Sequence, residues 1–350
     1  MSKSKTVDLT SGPILKTLAE LALPIMISSM LGTAYSIMDM AWIGLLGAKA
    51  VAGVGVGGMY VWLSQGLASL SRMGGQVNTA QACGRKDYDQ ARSYAAGSLQ
   101  LTALSGILFA AVCVIFIQPL LGFFNLTDAE TYTAARSYTL ITCGLILFSY
   151  LNLTLTGLST AQGDSRTPLL ANFIGLAGNM ILDPLLILGI GPFPRLEVAG
   201  AAIATVLAQL LSMLGCFAYT LLRHPELRLG REDWRVGGAS LLSHLRQGLP
   251  LGLQFSILAV GIIVMQGAVV RFDIAENGIM VPGTPAQNGF SAANKLINFL
   301  MALYNGLASA ILGFNAQNYG KSDYRRIRQG TRQSLIIMLI MYAFCLTAGL

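Results

Sequence analysis

Long apolar runs separated by short basic segments set the pattern of this chain. No charged residue occurs in 93–127, 137–163, 198–222, 247–270 or 296–320, and a helix crosses a bilayer in about 20 apolar residues. Each run therefore has room for a membrane span. The pattern predicts eight complete transmembrane helices, at 14–43, 51–73, 95–123, 133–160, 167–191, 199–222, 240–270 and 286–314, with a ninth opening near Gln333 and still running at Leu350. The expected fold class is an all-α polytopic membrane protein. The first apolar segment is too long for a signal peptide and lacks a small-residue cleavage site, so it is expected to stay as the first span.

Inside this apolar pattern one hydrophilic segment occurs twice. Gln81-Ala-Cys-Gly84-Arg-Lys-Asp87-Tyr88 returns, altered, as Gln317-Asn-Tyr-Gly320-Lys-Ser-Asp323-Tyr324, at an offset of 236 residues. A second echo, Gly66-Leu-Ala-Ser69 in Gly306-Leu-Ala-Ser309, is displaced by a further four residues, about one helical turn. Internal repeats of this kind mark duplicated transporters. Six predicted spans separate the repeated loops, so both loops face one side and the repeats are parallel. Two pseudo-symmetric six-helix lobes follow: an N-terminal lobe over 1–222 with spans 1–6, a linker over 223–238, and a C-terminal lobe over 239–350 with spans 7–9 only. If the second lobe mirrors the first, the complete protein would end near about residue 460 with about twelve spans.

Composition agrees with the pattern. Only 11% of residues are charged and 54% are hydrophobic, against about 25% charged in a soluble domain. Lysine and arginine cluster in the loops after even-numbered spans, as Arg85, Lys86 and Arg92, Arg166, Arg223 to Arg235, and Lys321 to Arg332. The positive-inside rule places those loops, with Lys3 and Lys5, in the cytoplasm. The expected location is a cell membrane, of the bacterial inner type, with the N-terminus cytoplasmic. The +7 net charge is accounted for by this anchoring, without nucleic acid as a partner. The five cysteines (Cys83, Cys113, Cys143, Cys216, Cys345) show no paired spacing and read as reduced packing residues. Gly53 and Gly57 are spaced for close helix packing in lipid.

Two acids stand inside apolar spans. Asp39 lies deep in the first, in Tyr35-Ser-Ile-Met-Asp39. A carboxylate there costs several kcal/mol unless it lines a wet cavity, pairs or takes a proton, so it is either a proton or cation switch or an interfacial acid held by a neighbour. Asp183 follows Asn179 by four residues, on one helical face, and precedes Pro184. Together they offer oxygen ligands or a proton site; alternatively Asp183 answers backbone groups freed by the proline. Pro24 interrupts the span that carries Asp39 and provides a bend. Pro250 holds the matching place in the seventh span, but Met265 stands where an acid would match Asp39. Any ion coupling is thus expected in the first lobe. Lys295 reads as the only basic residue well inside an apolar stretch, open to an anionic contact, a structural pair or snorkelling. Gln254 and Gln266 line a cavity or bond across helices, and His244 reads as a surface residue.

Other chemistries lack support. Gly313-Phe-Asn-Ala-Gln-Asn-Tyr-Gly320-Lys321-Ser322 ends like a phosphate loop, but Asn315 stands where glycine is needed and no strand precedes it. Gly53-Val-Gly55-Val-Gly57 sits in a span, without the strand context of a dinucleotide loop. No histidine–cysteine cluster has zinc spacing. Without an ATP site, the energy source is expected to be an ion gradient, worth about 2.3 kcal/mol per charge per 100 mV. Asn125-Leu-Thr127 is a glycosylation sequon, meaningful only in a secretory pathway.

Taken together, Leu23-Pro24-Ile25, Asp39-Met-Ala-Trp-Ile-Gly, Gly84-Arg-Lys-Asp, Gln162-Gly163-Asp164-Ser-Arg-Thr-Pro168, Asn179 to Pro184, and Gly200-Ala-Ala-Ile-Ala-Thr205 resemble the multidrug and toxic compound extrusion (MATE) family, nearest its DinF-like branch. The resemblance spans the chain. It implies a non-enzymatic, cofactor-free, monomeric antiporter that exports organic cations or amphiphilic drugs by alternating access, coupled to H⁺ or Na⁺. It also implies coupling-cation roles for Asp39, Asn179, Asp183 and Thr205, with Na⁺ held by the first three, a substrate cavity at Tyr35, Tyr138 and Asn152, and a hinge at Pro24. A flippase for lipid-linked precursors shares the lobe plan; a strongly cationic central cavity would favour it. An intramembrane aspartyl protease built on Asp39 and Asp183 needs two carboxylates sharing a proton, and Ala161-Gln162-Gly163-Asp164 supplies only half of its usual turn.

Overall fold

The computed structural model describes residues 7–124, 126, 128–223, 228–272 and 285–349. Lys3, Lys5, Asn125 and Thr127 of the sequon, and Asp273 lie outside the described residues, as do the side chains of Gln266, Lys295 and Cys345. The described residues form eleven helices and no strand: α1 (Ile14–Gly44), α2 (Ala48–Arg85), α3 (Tyr88–Ile115), α4 (Ile117–Gly122), α5 (Ala129–Gly144), α6 (Leu147–Ala161), α7 (Arg166–Leu188), α8 (Glu197–Arg223), α9 (Gly238–Arg271), α10 (Pro285–Gly320) and α11 (Tyr324–Gly349). Of these, α1, α3, α7, α8 and the 297–320 part of α10 are each long and apolar enough to cross a membrane; α5 and α6 together qualify as a sixth span.

Polarity is distributed inside out. Leu104, Ile107, Leu108 and Ile115 are exposed, whereas Gln76, Asn78, Thr102, Thr154, Asn179 and Asp183 are buried. A water-soluble protein would reverse this; lipid, which offers no hydrogen bonds, enforces it.

The structure departs from the sequence reading at several places; the predicted third span, for one, is divided into α3 and α4 at Phe116. The fourth predicted span is two helices, α5 and α6, bent by 45° at Leu145–Ile146. The break follows Gly144, and the Ile146 amide turns back to the Cys143 carbonyl at 3.4 Å instead of continuing the α-helical ladder, a usual origin of kinks. His244 is fully buried rather than on the surface. Its ring lies edge-on to Tyr94 and its nitrogens face the carbonyls of Ser240 (2.7 Å) and Tyr94 (3.0 Å), because α9 leans against α2 and α3. The repeated "loops" are mostly helix: Gln81–Gly84 closes α2 and Gln317–Gly320 closes α10.

The repeat itself is reproduced bond for bond. Lys86 and Ser322, 236 residues apart, both adopt φ 62°. The amides of Asp87 and Asp323 reach the carbonyls of Ala82 and Asn318 (3.0 and 2.9 Å), the six-to-one bond of a Schellman end. Each aspartate then caps the next helix, accepting from the amides of Gln90 and Arg326 at 3.0 Å.

Helix α2 is the spine. Gly53 and Gly57 lie directly on α5, where an added Cβ would sit 2.7 Å from Ala134 and Tyr138. Gly66 faces Phe255 of α9, while its echo Gly306 lies on the Met26 backbone of α1. The second helix of each repeat thus packs on the first helix of the other. At their basic ends α2 and α10 cross backbone to backbone: a Cβ on Gly84 would lie 2.0 Å from the Gln317 carbonyl oxygen, and one on Gly320 would lie 2.1 Å from that of Gln81. The N-terminal strap closes over the crossing. Arg326 donates to the carbonyls of Leu9, Ser11 and Gly12, and Asn318 donates to Leu9. Beneath it, Leu18, Leu21, Ala22, Ile25, Leu307, Ala310 and Phe314 form an apolar seam between α1 and α10.

Either Gly84→Val or Gly320→Val is expected to open this crossing, because the clash is with backbone and overpacking costs about 1–3 kcal/mol. Spin labels at the exposed positions Tyr88 and Tyr324 check it: both variants should lengthen the inter-label distance.

Candidate functional site

Helical spacing aligns the polar residues before tertiary packing joins them. Ser28, Gly32 and Tyr35 fall on one face of α1, with Asp39 one turn beyond Tyr35. Asn179 and Asp183 share a face of α7, and Thr205 and Gln209 share a face of α8. Packing of α1, α5, α7 and α8 gathers the acids into one buried polar compartment, and α2 and α6 join α1, α7 and α8 around an adjoining cavity.

The first holds the acids. Asp39 is 8% exposed, Asp183 1% and Asn179 fully buried. Asp39 and Asp183 are within electrostatic reach of each other and of the hydroxyls of Tyr35 and Tyr138. Neither acid forms an ion pair among the described residues. One oxygen of Asp39, both oxygens of Asp183 and both side-chain polar atoms of Asn179 are buried without a hydrogen bond of good geometry, although the Asn179 amide lies close enough to interact with the Asp183 carboxyl. Such atoms are rare in folded proteins and call for an occupant, proton or ion. The alternative role for Asp183, answering the backbone carbonyl freed by Pro184, requires a protonated carboxyl, and neither Asp183 oxygen makes a hydrogen bond of good geometry to that backbone. One turn beyond each acid, Ile43 and Ile187 are fully buried in an apolar cluster with Tyr138, Val198, Ala201 and Ala202, which closes that end against water.

The second compartment is a cavity of about 320 Å³ lined by α1, α2, α6, α7 and α8. Asn152 donates to Asn172 (3.2 Å) and Gln209 (3.3 Å), and Asn172 donates to Ser28 (2.9 Å). Tyr35 lines this cavity, and its hydroxyl is hydrogen-bonded to Thr205 at 3.0 Å, so the Tyr35–Thr205 pair stands between the compartments.

The seven site residues expected from sequence therefore divide. Asp39, Asn179, Asp183 and Tyr138 meet in the acid compartment, Asn152 lies in the cavity, and Tyr35 and Thr205 stand between. Pro24 lies in α1 just before Met26, where α1 touches Gly306 of α10. Sequence reasoning missed Asn172, Gln209 and Arg72. The first two carry a legible signal, amides in otherwise apolar spans. Arg72 was hidden because the second span was expected to end at 73; α2 continues to Arg85, which puts Arg72 inside the bundle. Lys295 is thus not alone as a basic residue within an apolar stretch.

Outside the spans, Asp128 fixes the start of α5 and so the placement of Tyr138. Its carboxyl is held down at about 2 by the Thr131 amide hydrogen bond and by Lys49, 2.9 Å away. A carboxylate whose folded pKa is depressed stabilises the fold above the unfolded value, and that contribution is lost as pH falls through the folded one. This cap therefore persists down to strongly acidic pH.

If the two membrane acids serve an exchangeable cation rather than the fold, neutralising them relieves an uncompensated charge. Asp39→Asn and Asp183→Asn should leave the unfolding midpoint of the detergent-solubilised protein unchanged or raise it by a few degrees. A fall of several degrees in a thermal melt would mark the acids as structural.

The family model MatE matches residues 24–185 and 280–350. The chain is 28% identical over 339 residues to a protein of Shewanella oneidensis named FAD transporter, covering 95% of this chain and 71% of that one. It is 26% identical over 340 residues to the probable multidrug resistance protein NorM of Thermotoga maritima (96% and 69%). It is 27% identical over 344 residues to the DNA damage-inducible protein F of Escherichia coli (95% and 71%). Among solved structures, a MOP superfamily transporter from Pyrococcus furiosus superposes with a TM-score of 0.86 at 23% identity, over 97% of this chain and 73% of that one. A multidrug resistance MATE family transporter superposes with a TM-score of 0.85 at 23% identity, over the same shares.

Proposed function

The chain belongs to the MatE family, and we propose that it is a cation-coupled secondary antiporter exporting amphiphilic small molecules by alternating access. The observation that carries this reading is the acid compartment: two buried carboxylates and a buried amide with unfilled hydrogen-bonding capacity, separated from a polar cavity by one tyrosine–threonine contact. Protons or Na⁺ arriving at Asp39, Asn179 and Asp183 neutralise the pair, and Tyr35, on the same helix as Asp39, carries the change to the cavity. Pro24 provides the flexible point in α1, beside its contact with α10. In this reading 1–222 and 239–350 are the moving lobes, 223–238 is the linker, and the chain acts as a monomer.

The basic loops support an orientation with the α2–α10 crossing and the N-terminal strap on the cytoplasmic side of a cell membrane. Relatives named as multidrug resistance proteins support a small-molecule cargo. Their transporter identity also leaves the protease reading without support.

The test is efflux of a fluorescent amphiphile from vesicles under an imposed pH or sodium gradient. Wild type should respond to one of the two gradients. Asp39→Asn and Asp183→Asn should lose that gradient-driven component, by about tenfold or more, while inserting normally. Normal driven efflux by both variants would remove the coupling role.

A further inference from the structure

Among the described residues, Arg72 is the one charged residue lining the cavity. Its side chain runs over Gly157, where a Cβ would lie 2.9 Å from the Arg72 Cγ, and this small residue admits the guanidinium between α2 and α6. One nitrogen donates to the neutral Ser309 hydroxyl at 3.2 Å. The Nε is buried with no partner, and no ion pair to Arg72 occurs among the described residues. Among the described residues the rest of the polar lining, including Gln65, Asn152, Asn172, Gln209 and Ser28, consists of amides and hydroxyls without a carboxylate.

A guanidinium held inside a membrane bundle without a counter-ion is costly. It is the group best suited to grip a carboxylate or phosphate through paired donors. A cavity built for an organic cation would carry the opposite charge. We propose that this cavity takes the acidic head of an anionic amphiphile, with Arg72 as its anchor and the Asn152–Asn172–Gln209 amides orienting the remainder. The inference rests on the cavity being the transporter's substrate site, and it names the substrate class.

One mechanistic consequence follows. Neutralising Asp39 and Asp183 removes negative charge near the cavity and so favours a bound anion. Release therefore cannot come from charge competition, and must come from movement of α1 through Tyr35.

The experiment compares three probes that share a dansyl body: dansylglycine (anionic), dansylamide (neutral) and dansylcadaverine (cationic). Each is titrated by fluorescence into the protein in phosphatidylcholine nanodiscs, without an ion gradient. Dansylglycine should bind about tenfold or more tightly than dansylcadaverine, as expected for a charge-assisted bidentate contact. Arg72→Ala should abolish that preference, and Arg72→Lys, which keeps the charge but not the fork, should retain part of it. If Arg72→Ala fails to fold, the Arg72→Lys titration and the wild-type order of affinities still decide. Equal or stronger binding of dansylcadaverine by wild type, or unchanged dansylglycine binding in a folded Arg72 variant, overturns the proposal. A parallel titration in nanodiscs containing phosphatidylglycerol separates the two sources of such a head. Displacement of dansylglycine identifies a lipid headgroup as the occupant, and undiminished binding identifies a soluble anion; either supports the anion site. Because no gradient is applied, failure of cation coupling leaves this result untouched, and loss of anion preference leaves the vesicle experiment untouched.

Discussion

The arrangement hangs on the crossing of α2 and α10, where Gly84 and Gly320 each lie against the backbone of the other helix. At that distance no side chain fits, so the contact is made of main chain and dispersion. It also brings distant polar groups into register. Gln76 reaches the Ser309 carbonyl, Gln317 reaches the Ala161 carbonyl, and Arg72 meets the Ser309 hydroxyl. In lipid, where apolar surfaces gain little by meeting, close packing and hydrogen bonds of this kind are what hold helices together. A seam built this way comes apart as a unit, because losing the close approach breaks its hydrogen bonds too.

Set apart from that seam, the acid compartment is a place where the fold leaves polar atoms unsatisfied. Other buried polar residues are matched through at least one atom: Thr102 bonds Thr154, Tyr150 bonds the Ser64 carbonyl, and Asn78 accepts from Ser243 and Gln247. What sets Asp39, Asn179 and Asp183 apart is that two carboxylates are among the open groups and lie together in one buried cluster. A group that must take up and release a cation repeatedly cannot also be locked to a permanent partner. The Tyr35–Thr205 contact makes the arrangement mechanically useful, because one residue touches the cavity while sharing a helix with Asp39. Arg72 adds an opposite charge on the cavity side, so the two compartments differ in sign as well as in position.

Much of this was legible in the chain. The apolar runs located nearly every helix, because the bilayer imposes a minimum apolar length. The 236-residue offset anticipated matched turns at Lys86 and Ser322, since one local sequence encodes one local hydrogen-bond pattern. Asp39 and Asp183 announced themselves as charges where charge is expensive. What misled the reading was helix length: α2 and α10 run well beyond the span a bilayer requires, so polar residues near their ends were assigned to loops. His244 misleads for another reason: its sequence neighbours are polar, yet packing of α9 against α2 and α3 buries it.

The sequence by itself determined the class, the duplication and the identity of the two acids, all of which follow from local composition and the cost of charge in lipid. Tertiary structure alone decided which polar faces meet. It joined Tyr35 to Thr205 across 170 residues, set Asn152 in a cavity apart from the acids, buried His244 and turned Arg72 inward. Those outcomes depend on crossing points between helices, and crossing points are fixed by where glycine lets two backbones approach, a relation between segments that no single segment encodes.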